Sequence, residues 1–81
     1  MKNLFAVKDN LEGFGSPIVA SNKAKAMLIF GDEIQHPDSM LNKHPENYSL
    51  YALGQYNEET GEIISKVEYL DKAINYIQKK S

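Results

Sequence analysis

Residues 44–61 read HPENYSLYALGQYNEETG, and this stretch decides the fold. Pro45 fixes its own φ and pushes His44 towards an extended backbone, so no helix runs through the pair. From Tyr48 to Tyr56 the side chains alternate. Tyr48, Leu50, Ala52, Gly54 and Tyr56 point one way; Ser49, Tyr51, Leu53 and Gln55 point the other. Aromatic and branched residues favour a strand here, with Gly54 as a bulge or a point of close approach. Asn57-Glu58-Glu59-Thr60-Gly61 has the chemistry of a hairpin loop, in which Gly61 takes a positive φ after a type I turn. Glu62 to Glu68 then returns as the partner strand, with Ile63, Ile64 and Val67 as its apolar residues.

Outward from the hairpin, the upstream chain supplies two more extended segments and a helix. Lys2 to Lys8 reads as a strand, with either Phe5 and Val7 or Leu4 and Ala6 inward. A turn-rich connection follows through Ser16-Pro17. Ile18 to Ala20 is a short extended segment suited to pairing with the first strand. Phe14 lies between two glycines and has two readings, an exposed stacking ring or a plug folded over the core. The plug is the expected one, because burying an aromatic removes much area from water.

Ser21 or Asn22 caps a helix from about Asn22 to Gln35. Ala24, Met27, Leu28, Gly31 and Ile34 repeat at helical spacing and are expected to face the sheet, with Ala26 and Phe30 widening the stripe. Gly31 on that face implies a close neighbour. Lys23 and Lys25 sit in the first turn, at the unfavourable end of the helix dipole for a cation. They are either solvated lysines or a basic pair for an anionic partner. Pro37 ends the helix, and one helical turn is expected around Asp38 to Asn42. Downstream of the hairpin, Asp71 is placed to cap a last helix from Lys72 to about Lys80. The expected fold class is α+β: a small antiparallel sheet of three to four strands with two helices on one face, in the order β-β-α-β-β-α.

Composition limits the function. Eighty-one residues make one domain with a small core. There is no cysteine, hence no disulfide and no thiolate metal site, which fits a reducing cytoplasm. The longest apolar run, Ala26 to Phe30, is too short to cross a bilayer, and the opening MKNLFAVKDN lacks a signal-peptide core. Net charge is −2, with nine basic residues, all lysine. Without arginine, the bidentate reader of phosphate and guanine is missing. Any DNA contact must come from local lysines and stacked rings. His36, Asp38, His44 and Glu46 match no metal-ligand spacing, so no metal and no cofactor is expected. No phosphate loop or nucleophile motif is present, and Glu58 and Glu59 read as a solvated turn, so the chain is expected not to be an enzyme.

Lys43-His44-Pro45-Glu46-Asn47-Tyr48, then Leu50, Leu53-Gly54 and Thr60-Gly61, resembles the small nonstructural protein of gokushovirus-like microviruses, phages with circular single-stranded DNA. The opening Lys2-x-Leu4-Phe5-x-Val7-x-Asp9 is similar to it too, and the likeness covers about residues 2–65. Asn47 and Asn57 stand where that pattern often has aspartate. The resemblance implies a nonenzymatic accessory protein in the cytoplasm of the infected bacterium. It also implies DNA binding and a part in the switch from duplex replication to single-strand synthesis and packaging.

The candidate DNA contacts are Lys43, His44, Tyr48 and Tyr51, with Lys23 and Lys25 as a second basic cluster. An open aromatic sheet face suits either single strands, at about 1–3 kcal/mol per stacked base, or a second copy in a homodimer. The alternative function is a protein–protein adaptor for the phage replication initiator or a host factor.

Overall fold

A computed structural model describes residues 1–77 of the chain. Its elements are β1 (Lys2–Asp9), β2 (Gly13–Phe14), β3 (Ile18–Ala20), α1 (Lys23–Gln35), α2 (Met40–Lys43), β4 (Tyr48–Tyr56) and β5 (Ile63–Lys72). Short 3-10 turns cover Pro45–Asn47 and Ala73–Tyr76. The fold is α+β, with a five-stranded antiparallel sheet in the order β2-β1-β4-β5 and β3 also paired to β1. No helix among the described residues is long and apolar enough to cross a membrane.

Both helices lie against one face of the sheet. Phe5 from β1, Leu50 from β4, Ala26, Phe30 and Ile34 from α1, and Ala73 form one buried cluster, with Leu41 of α2 packed against it. Of the two registers open for the first strand, Phe5 with Val7 is the helix-side pair. The Asn22 side chain caps α1 by accepting from the Lys25 amide at 2.8 Å. The apolar stripe of α1 is rotated from its expected centre. Ala26, Phe30 and Ile34 are buried at i, i+4 and i+8, while Ala24 and Leu28 are exposed. Phe30 is the largest apolar residue of the helix, and its burial sets the rotation. Gly31 does have its close neighbour: a Cβ there would lie 3.3 Å from the Tyr76 ring.

The C-terminal helix expected from Lys72 is not formed at its start. β5 continues through Tyr69-Leu70-Asp71 to Lys72, and one 3-10 turn follows. The remainder of the expected helix, 78–80, lies outside the described residues. The physical reason is pairing. Lys72 stands opposite Ser49 and Asp71 opposite Leu50, so strand pairing to β4 takes these residues before a helix can. A bulge between these pairs and Tyr51–Tyr69 turns both Leu70 and Asp71 to the helix side, where Leu70 packs on the core. Asp71 caps no α-helix but accepts from the Lys72 amide at 2.8 Å and from Asn75 Nδ2 at 2.7 Å. The second helix of the domain is instead α2, close to the single turn expected around Asp38–Asn42. Its N-cap is Ser39, whose Oγ accepts from the Leu41 amide at 3.1 Å.

The β4–β5 hairpin follows its turn chemistry. Gly61 has φ +79, and its amide donates to the Asn57 carbonyl at 2.8 Å. Asn57 Oδ1 accepts from the amides of Glu59 and Thr60. At Gly54 the register shifts on both sides, and φ is +141. A Cβ at Gly54 would overlap the Ile64 carbonyl. Gly54→Ala is therefore expected to lose about 3 kcal/mol or more of unfolding free energy, from backbone strain together with the clash. Gly13→Ala, with φ +104 and open space around it, should lose only about 1 kcal/mol. Urea titrations of both variants check this, and a Gly54→Ala protein as stable as the Gly13→Ala protein contradicts it.

Candidate functional site

The face of the sheet away from the helices has no element over it among the described residues. Cross-strand partners share a face. Leu50 points to the core, so Ser49 and Tyr51 point to the open side, and their partners Lys8, Lys72, Ala6 and Tyr69 do so too. Phe14 joins them, because β2 sets it opposite Lys8. The plug expected of Phe14 is thus corrected. Phe14 is 48 % exposed, and its ring lies on the open face rather than over the helix-side core.

Three rings form a row across this face. Phe14 meets Tyr51 edge-on at 5.2 Å between centroids, and Tyr51 meets Tyr69 edge-on at 5.6 Å. Such pairs add about 0.5–1.5 kcal/mol beyond the area they bury. Beneath the row Ala6 is fully buried. Above it, Lys8 Nζ stands 5.6 Å from the Phe14 centroid and 5.7 Å from that of Tyr51. Tyr69 itself stays half in water, at 47 % exposure. Partial desolvation, then the charge of Asp71 and the neighbouring Tyr51, push its phenol pKa up, so it remains a neutral hydroxyl at physiological pH.

The six residues singled out from the sequence do not come together. Only Tyr51 lies in the ring row. Tyr48 is half-buried and packs against the core on the helix side. Lys43 ends α2, and His44 follows it as the C-cap, its amide donating to the Met40 carbonyl at 2.8 Å. His44 shares a shallow cleft with Asp9, Glu12 and Glu46, whose carboxylates work against a phosphate there. Lys23 already has an anion: Glu68 Oε1 of β5 lies 2.7 Å from its Nζ. That contact accounts for a lysine at the wrong end of the α1 dipole. Lys25 is exposed on α1. The lysines are therefore dispersed over the described surface rather than gathered.

Lys8, Phe14, Tyr69 and Lys72 complete the open face and were not singled out as a group by sequence. Lys8 had a usable signal. Once Phe5 and Val7 are taken as the inward pair, alternation sends Lys8 outward with Ala6. Lys72 had none, since it reads equally well as helix.

Three carboxyls have pKa values held below their ordinary range. At Asp9 the Leu11 amide is the main cause; opposed by partial desolvation, it is helped by Asn47 and the Glu12 amide. At Glu68 it is Lys23, through a hydrogen bond and its charge. At Asp71 burial pushes upward, but the hydrogen bonds from Asn75 and the Lys72 amide outweigh it. Burial, with the Asp71 charge beside it, also raises the phenol of Tyr76 to about 12. A lowered carboxyl pKa stabilises the fold above the ordinary values of 3.8 for Asp and 4.5 for Glu, and that stabilisation is lost as pH falls through the folded values. Stability is expected to be flat near neutrality and to fall below about pH 4.5. Asp71→Ala should cost about 1 kcal/mol at pH 7 and make the acid limb shallower. Urea midpoints between pH 3 and pH 7 read both effects, and a parallel acid limb in the variant would remove Asp71 from the explanation.

No curated protein and no solved structure matches the chain. A family model described as Phage ORF5 protein matches residues 2–76, which takes in every strand and helix described above. The chain therefore belongs to the phage ORF5 protein family.

Proposed function

We propose that this phage protein is a nonenzymatic accessory factor that binds single-stranded DNA weakly on the open face of its sheet. The observation that carries the reading is the exposed row Phe14–Tyr51–Tyr69 with Lys8 over two of its rings. Bases present π-faces of any sequence to such rings, and each stacked base contributes about 1–3 kcal/mol. Lys8 and Lys72 flank Ser49 on the same face and are the phosphate contacts. Membership of a phage family supports the setting, and the resemblance to the gokushovirus-like nonstructural protein narrows it to a phage with a single-stranded genome. On that reading the protein acts in the bacterial cytoplasm, in the switch to single-strand synthesis and packaging. Sequence-tolerant, easily displaced binding suits a strand that must be handed on.

A second reading has its own observation. The net charge is −2 and the lysines are dispersed, which favours an adaptor that touches a replication protein rather than DNA. Fluorescence anisotropy with a labelled oligothymidylate separates the two. With two lysines on the face, log K should fall with log salt at a slope of only about −1.4. Tyr69→Ala and Phe14→Ala should each weaken binding by about 1–3 kcal/mol, while Lys25→Ala and Lys43→Ala leave it unchanged. No binding at low salt would set this reading aside in favour of the adaptor, and binding lost with Lys43 rather than with the rings would move the DNA site off the open face.

A further inference from the structure

β5 ends the sheet, and its outer edge has no strand beside it among the described residues. It is ten residues long, contains no proline, and is exposed from Ile63 to Val67. The far edge differs, since β2 and β3 are two and three residues long. A long unpaired strand offers a row of free N–H and C=O groups to another strand. Ile63, Val67 and Tyr69 beside that row are 62 %, 58 % and 47 % exposed.

What identifies the partner strand is the charge pattern of β5 itself. Laid antiparallel on a copy of itself with Val67 opposite Val67, Lys66 stands opposite Glu68 of the second copy, twice by symmetry. No like charges meet. A two-residue slip one way sets Lys66 against Lys66, and the other way Glu68 against Glu68. A one-residue slip loses the Lys66–Glu68 pairs and turns every side chain to the wrong face. Opposite charges directly across an antiparallel pair stabilise it, and like charges destabilise it. Ile64, Lys66 and Glu68 line one cleft with Lys23, so the pairs would form on the helix side, beside the existing Lys23–Glu68 contact.

We propose that two copies of this chain join through β5, antiparallel about Val67, into one ten-stranded sheet. A two-fold axis normal to the sheet sets both Phe14–Tyr51–Tyr69 rows on the same face. The pairing itself does not depend on DNA binding, and its test contains no DNA, so either reading can fail without the other.

The test is sedimentation equilibrium of the full chain, whose mass should be twice 9.2 kDa at about 100 µM. Lys66→Glu and Glu68→Lys should each weaken self-association at least about tenfold, because each sets two like-charge pairs across the axis. An equimolar mixture of the two variants should restore the dimer, since every cross-strand pair is then opposite in sign; recovery also shows that both variants are folded. Val67→Cys, in a chain without cysteine, should give a disulfide-linked dimer on mild oxidation, and Ile63→Cys should not. A monomer at about 100 µM, or a dimer indifferent to both charge reversals, overturns the proposal. So does an Ile63→Cys protein that links as fast as Val67→Cys.

Discussion

Phe30 of α1 buried with Phe5 and Leu50 of the sheet is the contact on which the remaining structure depends. In an 81-residue chain without cysteine, the described residues form one small apolar cluster to hold the fold together. Docking α1 through Phe30 closes one face of the sheet and sets the rotation of the helix. It also draws in Tyr76, whose ring meets Phe30 edge-on at 5.2 Å and lies over Gly31. The last described turn is thereby tied to the first helix.

Because that cluster uses both helices, the other face is left to cover itself. Side chains of the sheet do this. Phe14 folds in from a two-residue strand, Tyr51 and Tyr69 reach across, and Ala6 is sealed below them. The result is a face apolar enough to exclude water from Ala6, with two rings still half exposed. The chemistry available there is stacking with a cation nearby. Tyr69, one of the two phenols of the row, has its pKa pushed up, further from neutrality.

Beyond the helices the β4–β5 ribbon continues without apolar cover, and Gly54 marks where it changes register. The ribbon's outer strand carries the opposite charges Lys66 and Glu68 two residues apart on one side. Glu68 fastens the strand to the start of α1 through Lys23. At 60 % and 43 % side-chain exposure, that bridge positions the strand more than it stabilises it. The same constraint that ties β5 inward on one side leaves its backbone edge open on the other.

Local chemistry settled much of this at the level of sequence. Asn22 as the cap, Gly61 with its positive φ, the break at Pro37 and the strand from Tyr48 each follow from the bonding or sterics of a few neighbouring residues. The α+β class followed from their order. Three things were decided only by tertiary pairing. Tyr69 to Lys72 look like a loop and a helix start, yet β4 claims them as strand, because ladder hydrogen bonds outweigh a weak helix propensity. Phe14 could fold either way until its register with Lys8 sent it outward. The candidate contacts Lys23, Lys43, His44 and Tyr48 are clear as residue types, but which face each one occupies depends on strand register and helix rotation. Both are set by the burial of Phe30, Phe5 and Leu50 from distant parts of the chain.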